Sequence, residues 1–225
     1  MPQITLYTSK TSPYGHYVEI ALREAKAEYT RFEVDLLNKP SWFTEHINRK
    51  GENPSSSSNS SPTSSPPPAS SPAPTTDLAP VRRAQVRFFI DLVSTKLGPA
   101  FSNALLRRGA PGDILAAIDE LQPYMPSGEP GDGPFILGGA FSNADAVAAA
   151  YFVRVDGCLK RDIGSFPAGE GIATYEILCT SGQYARYRAY LSALVARESV
   201  KATFHEELLF APNNVQYVLS KRAEK

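Results

Sequence analysis

Four residues near the N-terminus, Ser12-Pro13-Tyr14-Gly15, have types and a spacing that could carry chemistry. They separate a short alternating run, residues 3–7, from an apolar run with helical spacing: Val18, Ala21, Leu22 and Ala25. Proline is favoured in the first turn of a helix, so a helix is predicted to begin at Pro13. The unpaired N–H groups and the dipole of a helix N-terminus favour negative charge there. The Ser12 hydroxyl can donate a hydrogen bond to a bound thiolate but cannot form a disulfide, so the pattern favours activation of a thiol cosubstrate.

Simpler interpretations of the same residues stay open. Ser12 could act only as the N-cap of the helix, because serine is among the preferred residues at that position. Thr11 is adjacent and could cap the helix or carry the working hydroxyl instead. Tyr7 ends the predicted strand and is expected to pack rather than to react.

The cysteine and histidine residues show no spacing typical of a metal site. Cys158 and Cys179 lie 21 positions apart in predicted helices, and we expect them to be reduced structural residues. His16 follows the candidate turn and is predicted to be a solvated helix residue, while His46 and His205 are predicted at the surface. No metal is therefore expected.

The first 50 residues alternate between strand and helix patterns. Residues 29–36 place Phe32, Val34 and Leu36 on one face with the period of a strand. A strand, a helix and a second strand form a parallel pair with a right-handed crossover. Pro40 is predicted to start a short helix that contains Trp42 and Phe43.

A low-complexity tract interrupts this pattern. Residues 54–76 contain ten serines and seven prolines among twenty-three positions, and they carry no charge. Such a composition cannot bury enough apolar surface to offset the entropy of ordering the chain. Residues 51–77 are therefore predicted to be a disordered linker.

The rest of the chain, residues 78–225, is predicted to be all helical. The expected helices are a long one over residues 80–108 with a bend at Gly98-Pro99, and others at 114–125, 146–155, 183–196 and 200–209. Ser142-Asn143-Ala144-Asp145 reads as a capping box, with aspartate in place of the usual glutamate or glutamine. The fold class is thus an α/β N-terminal half, 1–50, the linker and an all-α C-terminal bundle.

Composition excludes some functional classes. Lys+Arg and Asp+Glu are 23 each, so the net charge is zero and no nucleic-acid partner is expected. No window of the sequence is apolar enough for a membrane span, and residues 1–4 do not resemble a signal peptide. We therefore expect a cytoplasmic protein without a membrane partner.

The chain resembles the cytosolic glutathione transferases, which join a thioredoxin-like domain to a helical domain. Ser12-Pro13-Tyr14 is similar to the omega-class active-site turn, with serine in place of the cysteine of that class. Asn38-Lys39-Pro40-Ser41-Trp42-Phe43 is similar to the omega-class segment N-K-P-x-W-F, and residues 142–145 are similar to the helix cap of the family. The serine-bearing omega-like members of wood-decaying fungi are the subgroup that the chain resembles most.

The resemblance implies that glutathione is the cosubstrate, and it assigns roles in binding glutathione to individual residues. Ser12 would activate the glutathione sulfur, Tyr14 would lie against the tripeptide, and Leu36 and Lys39 would face its glycine end. Phe101 would line the pocket for a small hydrophobic electrophile, although core packing explains that residue equally well. Members of the family are commonly homodimers.

The chain also departs from the family pattern. It has no Val-Pro pair, which the family uses to hold the cysteinyl unit of glutathione. Its Glu-Ser pair, Glu198-Ser199, lies near the C-terminus instead of before the helical domain, where the family grips the γ-glutamyl end. The N-terminal half is thus predicted to be incomplete, with the Ser/Pro tract in place of the missing segments. An impaired transferase, a non-catalytic protein that binds hydrophobic ligands and an inactive truncated relative remain as alternatives.

Overall fold

The N-terminal residues form a parallel β-α-β unit in the computed structural model, which describes residues 4–35, 38–48, 79–129 and 131–223. Strand β1 spans Ile4–Thr8, helix α1 spans Pro13–Glu24 and strand β2 spans Tyr29–Glu33. The register pairs Ile4 with Tyr29 and Thr8 with Glu33. The predicted parallel pair is confirmed, and β2 ends earlier than the pattern of residues 29–36 predicted.

An aromatic cluster lies on this two-stranded sheet. The rings of Tyr7 and Phe32 have centroids 5.4 Å apart, and Trp42 lies 5.4 Å from Phe32 and 5.9 Å from Tyr7. Trp42 precedes a short π-helical turn, Phe43–Ile47, where a helix was predicted. Tyr7 therefore packs among aromatic rings, as expected, while Phe32 stays 44% exposed.

The predicted long helix after residue 79 is divided in three. Helix α2, Ala79–Leu92, continues into a π-helical turn, Val93–Leu97, and then into helix α3, Gly98–Leu106. Pro99 has no backbone N–H to donate within a helix, so a new helix starts beside it. The predicted bend at Gly98-Pro99 thus takes the form of a local change of helical geometry.

The remaining described residues are mostly helical. The further α-helices are α4 Gly112–Leu121, α5 Asn143–Lys160, α6 Glu170–Thr180, α7 Ala185–Ala196, α8 Glu198–Lys201, α9 Glu206–Leu209 and α10 Pro212–Ala223. Short 3₁₀ turns are Gln122–Tyr124 and Gly182–Tyr184. The helix predicted over residues 200–209 is two short helices, because the chain leaves helical geometry between Ala202 and His205. Among the described residues, no helix is long and apolar enough to cross a membrane.

Helix α5 is the centre of the core. Its residues from Ala144 to Val155 are all buried, and the helix contacts α1, α2, α6 and α7. Helix α1 packs against it through a face that contains His16, Glu19 and Ile20. The apolar run of α1 predicted a different face, since Ala25 at the end of that run is exposed.

Asp145 fixes the start of α5, as the predicted capping box requires. Its carboxylate accepts the backbone N–H of Ser142 at 2.7 Å and the N–H of Ile136 at 2.9 Å. It also accepts the hydroxyls of Ser142 at 2.6 Å and of Tyr190 at 2.7 Å. Burial and the neighbouring Asp145 charge raise the pKa of Tyr190, which keeps that hydroxyl a donor. The side chain is fully buried, so these four donors replace the water that it has lost.

Replacing Asp145 by alanine is expected to destabilise the protein by more than about 3 kcal/mol. The substitution leaves the N–H groups of Ser142 and Ile136 and the Tyr190 hydroxyl without their acceptor, and an unsatisfied buried donor costs about 1–3 kcal/mol. Urea unfolding would measure the change. Asp113→Ala is the matched control, because Asp113 also lies in a first helical turn but is exposed, where such a carboxylate contributes up to about 1 kcal/mol.

Candidate active site

The turn between β1 and α1 positions Ser12 as the N-cap of α1. Ser12 has extended backbone geometry, Pro13 occupies the first helical turn, and the Gly15 N–H donates to the Ser12 Oγ at 3.5 Å. A side chain at Gly15 would collide with the Thr8 hydroxyl on β1. Glycine at that position therefore lets α1 lie close to the strand. The local geometry places a hydroxyl at the positive end of a three-turn helix, as the sequence predicted.

The neighbouring hydroxyl of Thr11 has a different partner. Its Oγ1 lies 3.1 Å from the Ser9 Oγ, whereas Ser12 is the residue that interacts with the N-terminus of the helix. Ser12 is also half-buried, so its side chain retains access to solvent. Of the two hydroxyls that the sequence left open, the geometry favours Ser12.

Tyr14 lies in a small cluster of tyrosines at the same end of α1. Its ring is 6.3 Å from the ring of Tyr17 and 6.3 Å from that of Tyr151 on α5. Burial is the main cause that raises the pKa of Tyr151, and the neighbouring Tyr14 raises it further, so this hydroxyl stays protonated. The cluster combines apolar ring surface with hydroxyl groups where α1 meets the helical part of the chain.

The described contacts connect none of the other predicted site residues to this turn. Lys39 is exposed in the segment after β2. Leu36 lies outside the described residues, as does the predicted linker over 51–77. Phe101 on α3 is 6% exposed and belongs to the hydrophobic core, which agrees with the packing alternative.

The residue that most directly supports the turn is Arg154 on α5. Its Nε donates to the Thr11 carbonyl oxygen at 3.2 Å. Its Nη2 donates to the carbonyl oxygens of Lys10 at 3.2 Å and of Ser12 at 3.1 Å. The side chain is 2% exposed. A single buried guanidinium thus binds three consecutive carbonyl groups of the candidate active-site loop.

His16 is buried beside Arg154, which corrects the prediction of a solvated residue. It is 3% exposed, and its Nδ1 lies 2.9 Å from the Arg154 Nη1, which can only donate. The proton of a neutral ring is therefore on Nε2, which faces the Thr203 Oγ1 at 3.1 Å. Burial, followed by the Arg154 charge, lowers the pKa of His16 to about 2. His16 is thus neutral in the folded protein and joins α1 to the helical part.

Two further polar contacts cross the same interface. Arg197 binds the carboxylate of Glu24 through two hydrogen bonds of 2.8 and 2.6 Å. Across the interface, the Nη1 of Arg31 on β2 lies 3.3 Å from the His205 ring, while within the β-α-β unit Arg31 also lies 3.3 Å from the Glu19 carboxylate. These contacts fix the β-α-β unit to the helices through oriented hydrogen bonds as well as through apolar packing.

Neither cysteine lies in the candidate site. Both are free thiols, and burial raises the pKa of Cys158 to about 12, so that this thiol stays protonated. Cys179 is exposed on α6. Over the described ranges, no group of three histidine, cysteine or acidic residues could hold a metal ion.

Comparison with solved structures identifies the class of protein. The chain is 32% identical to glutathione transferase Omega 1C from Trametes versicolor, with a TM-score of 0.74 over 100% of this chain and 98% of that chain. Omega 2C from the same organism shares 32% identity, with a TM-score of 0.72 over 100% of both chains. Omega 2S, solved in complex with 2,4-dihydroxybenzophenone, shares 28% identity with a TM-score of 0.70 over 92% and 95% of the two chains. No protein-family model and no curated protein sequence matches the chain.

The chain belongs to the glutathione transferase family. Within it, the chain is an omega-like member of the kind found in fungi. The predicted fold class, a thioredoxin-like N-terminal part joined to an all-helical C-terminal part, is confirmed.

Sequence reasoning missed Arg154, His16 and Thr203. A signal for Arg154 was present, because it is the one charged residue in the apolar run 146–155. A charge inside a buried helix needs partners, but three of those partners are loop carbonyl groups more than 140 positions away. No local pattern could reveal them. His16 and Thr203 gave no signal, since both residue types are common on helix surfaces.

The protein is expected to lose stability below pH of about 6.5 because of His16. Its pKa rises from about 2 in the folded state to its ordinary value of 6.5 in the unfolded state. Between those values the unfolded chain binds one more proton, so the free energy of unfolding falls by about 1.4 kcal/mol per pH unit as the pH falls. Urea unfolding at pH of about 7 and about 5 would show a loss of about 2 kcal/mol from this residue.

His16→Gln should remove that part of the pH dependence, whatever its effect at neutral pH. The exposed His46 supplies the control, and His46→Gln should retain the full dependence. An unchanged slope in His16→Gln would contradict a neutral buried His16.

Proposed function

We propose that this chain conjugates glutathione to small hydrophobic electrophiles and that Ser12 activates the glutathione sulfur. The observation that carries the proposal is the Ser12 hydroxyl, half-buried, at the N-terminus of α1. Membership of the glutathione transferase family supplies the substrate class. The separation of both cysteines from the turn favours conjugation over thiol exchange on a protein cysteine.

The chemistry follows from the hydrogen bond that Ser12 can donate. A free thiol has a pKa of about 8.5, so only a few per cent of glutathione is thiolate at neutral pH. A hydroxyl and a helix N-terminus both stabilise the anion, and lowering the thiol pKa by about two units makes most of it reactive thiolate at neutral pH. The thiol proton leaves to solvent. The thiolate then forms the sulfur–carbon bond, and the leaving group of the electrophile departs with the bonding electron pair.

Other residues complete the proposed site. Tyr14 would pack against the tripeptide beside Ser12, and Lys39 and Leu36 would face its glycine end. Lys39 is exposed and cationic, so its side chain is available to a carboxylate. Phe101 would contribute to the pocket for the electrophile from the core of the helical part. We further propose a cytoplasmic homodimer with a detoxifying role, as is common in this family.

A second candidate function is the binding of hydrophobic ligands without catalysis. Glu198-Ser199, the one Glu-Ser pair of the sequence, starts helix α8, and Ser199 is 5% exposed there. This pair therefore does not supply the γ-glutamyl grip of the family. The chain also has no Val-Pro pair, which the family uses to hold the cysteinyl unit of glutathione. The relative Omega 2S was solved with 2,4-dihydroxybenzophenone, an aromatic ligand of the kind that such a protein would take.

Ser12→Ala is expected to lower the rate of conjugation of 1-chloro-2,4-dinitrobenzene by about tenfold to a hundredfold. The variant removes one hydrogen bond to an anion, which is worth about 1.5–3 kcal/mol. Thr11→Ala is the matched control, and it should retain the activity because its hydroxyl faces Ser9. Equal activity in Ser12→Ala and the unmodified protein would rule out the role of Ser12. Ser12→Cys should introduce thiol-transferase activity.

Thermal unfolding with and without millimolar glutathione separates the two candidate functions. A ligand that binds only the folded state stabilises it by RT ln(1+[L]/Kd). The transferase predicts a higher midpoint in the presence of glutathione. A midpoint that rises with 2,4-dihydroxybenzophenone but not with glutathione would support the non-catalytic binding protein.

A further inference from the structure

Every N–H group of the Arg154 side chain has a hydrogen-bond partner. An arginine side chain has five N–H donors. Three of them bind the loop carbonyls of Lys10, Thr11 and Ser12, and a fourth binds the Ala150 carbonyl oxygen on its own helix at 2.7 Å. The fifth donates to the His16 ring. The guanidinium therefore has one geometry in which every donor is satisfied.

The charge of Arg154 has no carboxylate beside it. Within the described part of the chain, no acidic group lies within ion-pair distance of the guanidinium. Its direct partners are backbone carbonyl groups and the His16 ring, and the Glu19 carboxylate acts on its charge from a greater distance. Burial of a charge costs several kcal/mol even in favourable surroundings, and here it lowers the pKa of Arg154 to about 10. An apolar side chain would pack α1 against α5 without that cost. Stability alone is therefore a weak explanation for arginine at this position.

A second layer of hydrogen bonds holds Arg154 in place. His16 accepts from Arg154 and can donate to Thr203, whose hydroxyl donates to the Ser199 carbonyl oxygen at 2.7 Å. Thr203 is 6% exposed. This chain of donors runs from the candidate active-site loop through α1 into the helical part, so the guanidinium cannot turn without breaking several bonds.

We propose that Arg154 is the positioning residue of the active-site turn, which orients the Ser12 hydroxyl by holding the carbonyl groups of Lys10, Thr11 and Ser12. This inference rests on the proposed role of Ser12. The loop joins a sheet of only two described strands, and a two-stranded unit is marginally stable by itself. The helical part thus supplies the rigidity that the sheet does not. Arg154 acts through the backbone of the loop and does not touch the substrate.

Arg154→Lys tests this role, because lysine retains the charge but has three donors on a single nitrogen, which cannot reproduce the five hydrogen bonds of the planar guanidinium. We expect its kcat with glutathione and 1-chloro-2,4-dinitrobenzene to fall at least about tenfold, since small displacements of a catalytic group are costly. Arg197→Lys is the matched control. Arg197 also donates hydrogen bonds to α1 across this interface, but its partner is Glu24 at the other end of the helix. Arg197→Lys should therefore change kcat by less than about twofold.

The same substitutions in a Ser12→Ala background separate positioning from a general structural effect. If Arg154 acts through Ser12, Arg154→Lys should cost less than about twofold once the hydroxyl is gone. An equal loss in both backgrounds, or full activity of Arg154→Lys with Ser12 present, would overturn the proposal. Thr203→Val is a milder change, in the layer of hydrogen bonds that holds Arg154. It should lower kcat about threefold, and only when Ser12 is present. This variant takes the place of Arg154→Lys if Arg154→Lys does not fold.

Hydrogen exchange of the full chain without glutathione distinguishes failure of this proposal from failure of the proposed function. Faster exchange of the backbone amides of residues 10–16 in Arg154→Lys, but not in Arg197→Lys, supports positioning even if Ser12→Ala retains full activity. Unchanged exchange in that segment overturns the positioning role, whatever the kinetics show.

Discussion

The direction of helix α5 is set by a buried carboxylate, and the rest of the structure depends on that direction. Asp145 accepts hydrogen bonds from the segment before the helix and from Tyr190 on α7. Burying a charge is costly unless it is fully hydrogen bonded, so the four donors and the carboxylate require one another. Because α5 contacts α1, α2, α6 and α7, a change in its start would move every layer of the core.

The same helix carries a buried charge of opposite sign nine residues further along the chain. Arg154 donates hydrogen bonds to backbone carbonyl groups, whereas Asp145 accepts them from N–H and O–H groups. Both sets of partners are within reach in only one orientation of α5. Apolar packing tolerates small rotations, but a satisfied polar network does not. The interface between the β-α-β unit and the helices is consequently defined in both position and rotation.

This arrangement explains how a hydroxyl can be held at a helix N-terminus beside a sheet with only two described strands. The described sheet has two strands, and its aromatic face leaves Phe32 partly exposed. Support for the turn comes instead from Arg154 on α5, which binds the carbonyl groups of the turn and contacts His16. The proposed chemistry of Ser12 thus depends on residues that belong to the other half of the protein.

The elements whose signals are local could be predicted from the amino-acid sequence. The Ser12-Pro13 helix start, the parallel strand pair, the break at Gly98-Pro99 and the Asp145 cap all follow from residue preferences within a few positions. The tertiary structure alone decided which face of α1 is buried and that His16 is neutral inside the core. It also decided that Arg154 reaches the candidate active-site loop, 142 to 144 positions away in the chain. These features could not be predicted because the partners of a buried charge or ring depend on how distant elements pack against each other. No local spacing of residues along the chain specifies that packing.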